Sequence, residues 1–161
     1  MKTTVGSPAT ETTETVSKVV EKDGKYTVTI SREMFERTLT NDVEVSEKGV
    51  FRPTPSGQES AEPTPLFKPG KEGDTWTSEQ KGPGNGNNTK ITYTVGKAEE
   101  VEVPAGKYKA IPIVMEVSLG GNSIKSTSWY AAGVGVVKQV SVSNGNERVQ
   151  ELKEFTPGKA K

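Results

Sequence analysis

Between Ile111 and Leu119 every second residue is apolar: Ile111, Ile113, Met115, Val117 and Leu119 share one parity. A period of two marks a strand with one dry and one wet face, because successive side chains of an extended chain point to opposite sides. The same period recurs elsewhere. Tyr26, Val28 and Ile30 alternate with Thr27, Thr29 and Ser31, Ile91, Tyr93 and Val95 with Thr92 and Thr94, and Val101 and Val103 with Glu100 and Glu102. Glu33–Arg37 could open a short helix, but Phe35, Leu39, Val43 and Val45 share one parity. Residues 33–48 therefore read as a strand, with a bulge near Asn41–Asp42.

The breaks between these runs carry turn chemistry. Asp23–Gly24 and Asn144–Gly145 are the dipeptides that tight hairpins favour, since both residues must accept positive φ. Lys48–Gly49, Pro104–Ala105–Gly106 and Gly120–Gly121–Asn122 punctuate the chain in the same way, and Lys81–Asn88 reads as a flexible hairpin loop. The expected fold is all-β, an antiparallel meander drawn into a strongly curved sheet or half-open β-barrel, with little or no helix. Only 30% of the 161 residues are hydrophobic, so the core must be thin and one sheet face wet. Residues 1–14 are too polar to offset the cost of ordering and read as a disordered lead. Residues 15–155 read as one β domain, and 156–161 as a tail. Within the domain, Pro53, Pro55, Pro63, Pro65 and Pro69 make 53–73 a crossover, with at most one short edge strand around Gln58–Ala61 and Leu66–Phe67 pinning it to the core.

Composition removes several functions. Lys plus Arg and Asp plus Glu each number 21, which argues against nucleic acid as a partner, since binding it needs clustered cations. No apolar run approaches the ~18 residues of a transmembrane segment. The chain has no Cys and no His, so thiolate chemistry and the commonest general base and metal ligand are all missing. No cofactor and no metal site are expected. Lys125 and Ser126 are neighbours on a strand and point apart, which argues against a local Ser–Lys dyad. Glu100 and Glu102 share a strand face roughly 7 Å apart, a spacing at which carboxylates can act on a sugar. A solvated strand face explains them more simply. The Asn- and Gly-rich loops 82–88 and 143–146 contain no Asp, so turn formation rather than calcium binding accounts for them. The chain is therefore not expected to be an enzyme.

Two long segments resemble a known pattern. Val101–Glu102–Val103–Pro104–Ala105–Gly106–Lys107–Tyr108–Lys109–Ala110 is similar to a "V-x-V-P-A-G-x-[FY]-x-A" motif. Trp129–Tyr130–Ala131–Ala132–Gly133–Val134–Gly135–Val136–Val137–Lys138 is similar to "W-[YF]-A-P-G-V-G-x-V-K", with Ala132 where the pattern has Pro. Pro69–Gly73 with Trp76 resembles a "P-G-x-x-W" entry into this half. Over residues 66–155 the chain thus resembles a bacterial family of secreted β proteins of unknown function, TapB-like and related to DUF-type half-barrel domains of envelope proteins. The resemblance implies an exported, lipoprotein-like protein and brings no catalytic residues.

The functional expectation is a binding protein. Trp76, Ile111, Ile113, Met115 and Val117 would line the concave face of the sheet and hold a lipid or other apolar ligand. Trp129 and Tyr130 face opposite ways on a strand, so one fills the core while the other could form an aromatic lip to the same groove. The alternative is a structural subunit that self-assembles, or takes a protein partner, by strand addition at sheet edges and the N-terminal lead. Met1 and Lys2 resemble the start of a signal peptide without its apolar region. Either a signal segment has been removed and the chain is secreted or periplasmic, as the resemblance implies, or the chain is cytoplasmic.

Overall fold

Asp23 and Gly24 adopt φ of 54° and 74°, and Asn144 and Gly145 φ of 50° and 77°, the left-handed pairs that let two strands meet through a two-residue loop. Around such turns the chain builds antiparallel sheets. The structure, a computed structural model, describes residues 2–5, 7–34, 36–53, 63–80, 89–119 and 121–158. Every element among these is a strand. The edge strand expected at Gln58–Ala61 and the loop Lys81–Asn88 lie outside the described residues.

In chain order the strands are β1 (Lys2–Val5), β2 (Ser7–Glu11), β3 (Glu14–Lys22), β4 (Lys25–Met34), β5 (Arg37–Ser46), β6 (Gly49–Arg52) and β7 (Thr64–Phe67). They continue as β8 (Thr75–Gln80), β9 (Thr89–Val95), β10 (Glu99–Val103), β11 (Gly106–Leu119), β12 (Asn122–Ala131), β13 (Gly135–Ser143) and β14 (Asn146–Glu151). They divide into two compact units, Thr12–Pro69 and Met1–Glu11 with Gly70–Lys161, where the sequence suggests one domain with a polar lead. The lead is strand: β1 pairs with β14, placing Thr3 opposite Gln150. Polar residues can be ordered there because β14 offers an unpaired row of backbone groups, and ladder hydrogen bonds need no apolar side chain.

The smaller unit is a five-stranded meander in the order β3-β4-β5-β6-β7. β4 and β5 pair without interruption from Tyr26↔Val45 to Met34↔Arg37, so the bulge expected at Asn41–Asp42 is absent. An irregularity lies between Val16 and Lys18 instead. Ser17 is the residue left over, and its hydroxyl donates to the Thr29 carbonyl at 3.3 Å and accepts from Ser31 Oγ at 2.8 Å. Absorbing one residue here puts Val16 opposite Ile30 and Val19 opposite Val28, on the same apolar face. The other face is hydroxylic, with Thr29 Oγ1 donating to Asp42 Oδ1 at 2.6 Å.

The larger unit holds the order β2-β1-β14-β13-β12-β11-β9-β8, with β10 also paired to β11. β11 is fourteen residues long and serves two neighbours on one edge. It pairs with β10 over Gly106–Ala110 and with β9 over Ile113–Ser118. Its buried face changes accordingly. Ala110 is 1% exposed and Ile113 2%, although they have opposite parity, so the strand passes from one packing layer to another.

Candidate functional site

The inner register of the larger sheet is a row of residues lying directly opposite one another on successive strands. Trp76 of β8 faces Tyr93, Tyr93 faces Met115, Met115 faces Ser126, Ser126 faces Ser141, and Ser141 faces Arg148 of β14. Cross-strand partners stand on one side of a sheet, so these six share a face. The rows beside it add Val95, Ile113, Ser128 and Gln139 on one side, and Ile91, Val117, Ile124 and Ser143 on the other.

The apolar part of this face lies on β8, β9 and β11. Trp76 stacks on Tyr93 with ring centroids 5.2 Å apart and planes 9° from parallel. Ile91, Tyr93, Val95, Ile113 and Val117 are buried, while Trp76 and Met115 are half-buried. On β12 and β13 the same face turns polar without becoming charged. Ser126, only 3% exposed, shares a hydrogen bond with Ser141 at 2.9 Å, and Gln139 Nε2 donates to Ser128 Oγ at 3.0 Å. Burying a hydroxyl is costly unless it is bonded, and these are bonded to each other.

Of the site residues expected from the sequence, Trp76, Ile113, Met115 and Val117 stand together on this face, with Ile111 and Tyr130 opposite each other one row further along. Trp129 does not. It lies on the reverse side, packed against a cluster of Val101, Val103, Ala110, Ala131 and Val137. Its indole Nε1 donates to Glu99 Oε1 at 2.6 Å. Val137 is the residue left over where β12 and β13 shift register, and it is fully buried. The Val137 carbonyl accepts from Leu152 N at 2.8 Å, and the Leu152 carbonyl accepts from Ala105 N at 3.0 Å. The two segments that carried the family resemblance therefore meet in one corner, bolted by backbone bonds across β10, β13 and the end of β14.

The paired carboxylates are surface groups. Glu100 and Glu102 are exposed beside buried Val101 and Val103, and Glu100 lies 3.8 Å from Lys107 Nζ. A depression of about 270 Å³ opens elsewhere, between the hairpin ends, lined by Gly121, Asn122, Asn144 and Gly145 with Lys125 and Val142. It lies below the roughly 300 Å³ at which small-molecule pockets begin, and turn residues make most of its wall.

Missing from the sequence expectation were Tyr93, Ser126, Ser128, Gln139, Ser141 and Arg148. A signal existed: Ile124, Ser126, Ser128 and Tyr130 alternate with Lys125, Thr127 and Trp129, so charge avoids one parity even where hydrophobicity is low.

The family model described as DUF3108-like matches residues 65–153, more than half of the chain. No curated protein matches significantly. Among solved structures, a candidate lipoprotein from Parabacteroides distasonis ATCC 8503 is similar with a TM-score of 0.54 at 11% identity, covering 89% of this chain and 86% of that one. A candidate exported protein with a YmcC-like fold from Bacteroides fragilis NCTC 9343 is similar with a TM-score of 0.52 at 14% identity, over the same shares. At these identities the likeness is one of fold.

Proposed function

The chain belongs to the DUF3108-like family, and from that premise we propose that it is an exported envelope protein that binds an apolar or lipid ligand on the uncharged face of its larger sheet. The single observation that carries the reading is the composition of that face. Beside the apolar residues of β8, β9 and β11, Ser126, Ser128, Gln139 and Ser141 continue this face across β12 and β13 with bonded, uncharged polar groups, half-buried except at Ser126. Trp76, Met115, Tyr130 and Ser141 are half-buried rather than sealed, which suits a surface that exchanges protein contacts for ligand contacts. The envelope location is supported by the two similar structures, described as those of lipoprotein and exported proteins. Catalysis is not part of the reading, because Glu100 and Glu102, the acid–base pair weighed from the sequence, are exposed surface carboxylates. Native mass spectrometry of the chain purified from its own host, with an organic extract run in parallel, tests this. A monomer carrying lipid-sized extra mass is the expected result, and a bare chain with an empty extract counts against it.

A second reading rests on β3. This nine-residue strand is the edge of the smaller sheet, is exposed along its whole length, and shows Val16 at 58% and Val19 at 57% exposure. A long edge without proline, with apolar side chains in solvent, is a template for strand addition. If assembly runs through it, Val19→Lys lowers the associated mass in analytical ultracentrifugation while leaving the circular dichroism unchanged. Identical sedimentation of the variant and the parent removes this edge from consideration.

A further inference from the structure

The face is graded, and the geometry points to the class of ligand it takes: an anionic amphiphile, its apolar body along Trp76, Tyr93 and Met115 and its head toward Ser141 and Arg148. This inference rests on the binding role proposed above. The row from Trp76 to Arg148 crosses five inter-strand steps, roughly 24 Å at ~4.8 Å per step, in one direction of changing chemistry. It begins with a stacked aromatic pair and a thioether, which offer broad apolar contact area. It continues through the bonded hydroxyls of Ser126 and Ser141, which can reorient toward an oxygen-bearing group. It ends on a guanidinium.

Charge completes the case. On β8, β9, β12, β13, β14 and the Ile111–Ser118 stretch of β11, the pairing places the other charged side chains on the reverse face: Glu79 opposite Lys90, Glu116 opposite Lys125, and Lys138 opposite Glu151. Glu147 adjoins Arg148 and points away from it, opposite Val142. Arg148 is thus the lone charge on the graded face among the described residues of those strands, with no carboxylate there to neutralise it. A guanidinium fork matches carboxylate or phosphate oxygens and repels cationic heads. Both head types share this chemistry.

The test is isothermal titration of the full chain with four ligands that share a sixteen-carbon chain: palmitate, hexadecyl phosphate, hexadecanol and hexadecyltrimethylammonium, each below its aggregation threshold. The expected result is preference for the two anions, with the tighter one identifying the head, and about a tenfold loss for both in Arg148→Gln while hexadecanol is unaffected. Arg148 is exposed, so that variant keeps the fold. Equal affinity for all four heads overturns the inference and leaves the binding role standing. Anion preference that survives Arg148→Gln also overturns it, and absence of binding by every ligand removes both.

Discussion

Trp129→Ala is expected to destabilise the larger unit by about 3–4 kcal/mol, the cost of emptying an aromatic site in a packed cluster. The ring packs against the cluster built from Val101, Val103, Ala110, Ala131 and Val137, and its indole donates to Glu99 at 2.6 Å. Two effects therefore combine, lost packing and a lost charge-assisted hydrogen bond. They separate by substitution. Trp129→Phe keeps most of the packing and loses the donor, so about 1–2 kcal/mol is expected. Glu99→Gln keeps an acceptor at an exposed position, where solvent screens the charge, so less than about 1 kcal/mol is expected. Urea unfolding measures all three. For a chain of this length the alanine variant corresponds to a melting temperature lower by about 6–16 °C. A cost below about 1 kcal/mol for Trp129→Ala would show that the ring is not a packing element, and would return it to the list of ligand contacts.

Gly49→Ala should be comparably severe in the smaller unit. Gly49 has a φ of 126°, a region L-residues avoid, and an added Cβ would stand 2.0 Å from the Phe67 carbonyl oxygen. That oxygen belongs to the β6–β7 ladder, where Val50 pairs with Phe67, so it cannot move without breaking the pairing. Backbone strain and overpacking each cost about 1–3 kcal/mol, giving an expected loss of about 2–6 kcal/mol. Gly24→Ala is the control. Its φ of 74° is also unfavourable, but nothing lies within 4 Å of the added atom, so only the conformational penalty of about 1 kcal/mol remains. Hydrogen exchange should show amides of β5, β6 and β7 losing protection in Gly49→Ala and barely changing in Gly24→Ala. Equal protection in the two variants would mean that the contact with Phe67 does not hold β7 in place.

Hairpins were legible in the residues because they are local. Asp23–Gly24 and Asn144–Gly145 specify their own turns, and the alternation of Tyr26, Val28 and Ile30, or of Ile91, Tyr93 and Val95, specifies which side is dry. Those two facts were enough for the all-β antiparallel class. The family motifs were legible as well, though not their purpose, since a motif states which residues recur and not which ones touch.

What tertiary structure decided is everything that depends on partners distant in the chain. No local signal says that β1 pairs with β14, because ladder bonds join backbones and leave no mark on side-chain type. The passage of β11 from β10 to β9 buries Ala110 on one side and Ile113 on the other, so a single parity could not describe the whole strand. Trp129 and Tyr130 were known to point apart, but which one faced the site depended on the layer formed by Val101, Val103 and Val137. The hydroxyls of Ser126 and Ser141 read as wet positions in sequence, because burial of a polar side chain is set by what is folded over it and bonded to it, while exposed Arg148 joins them only through register. The row they form exists only in the register of six strands, each contributing one residue.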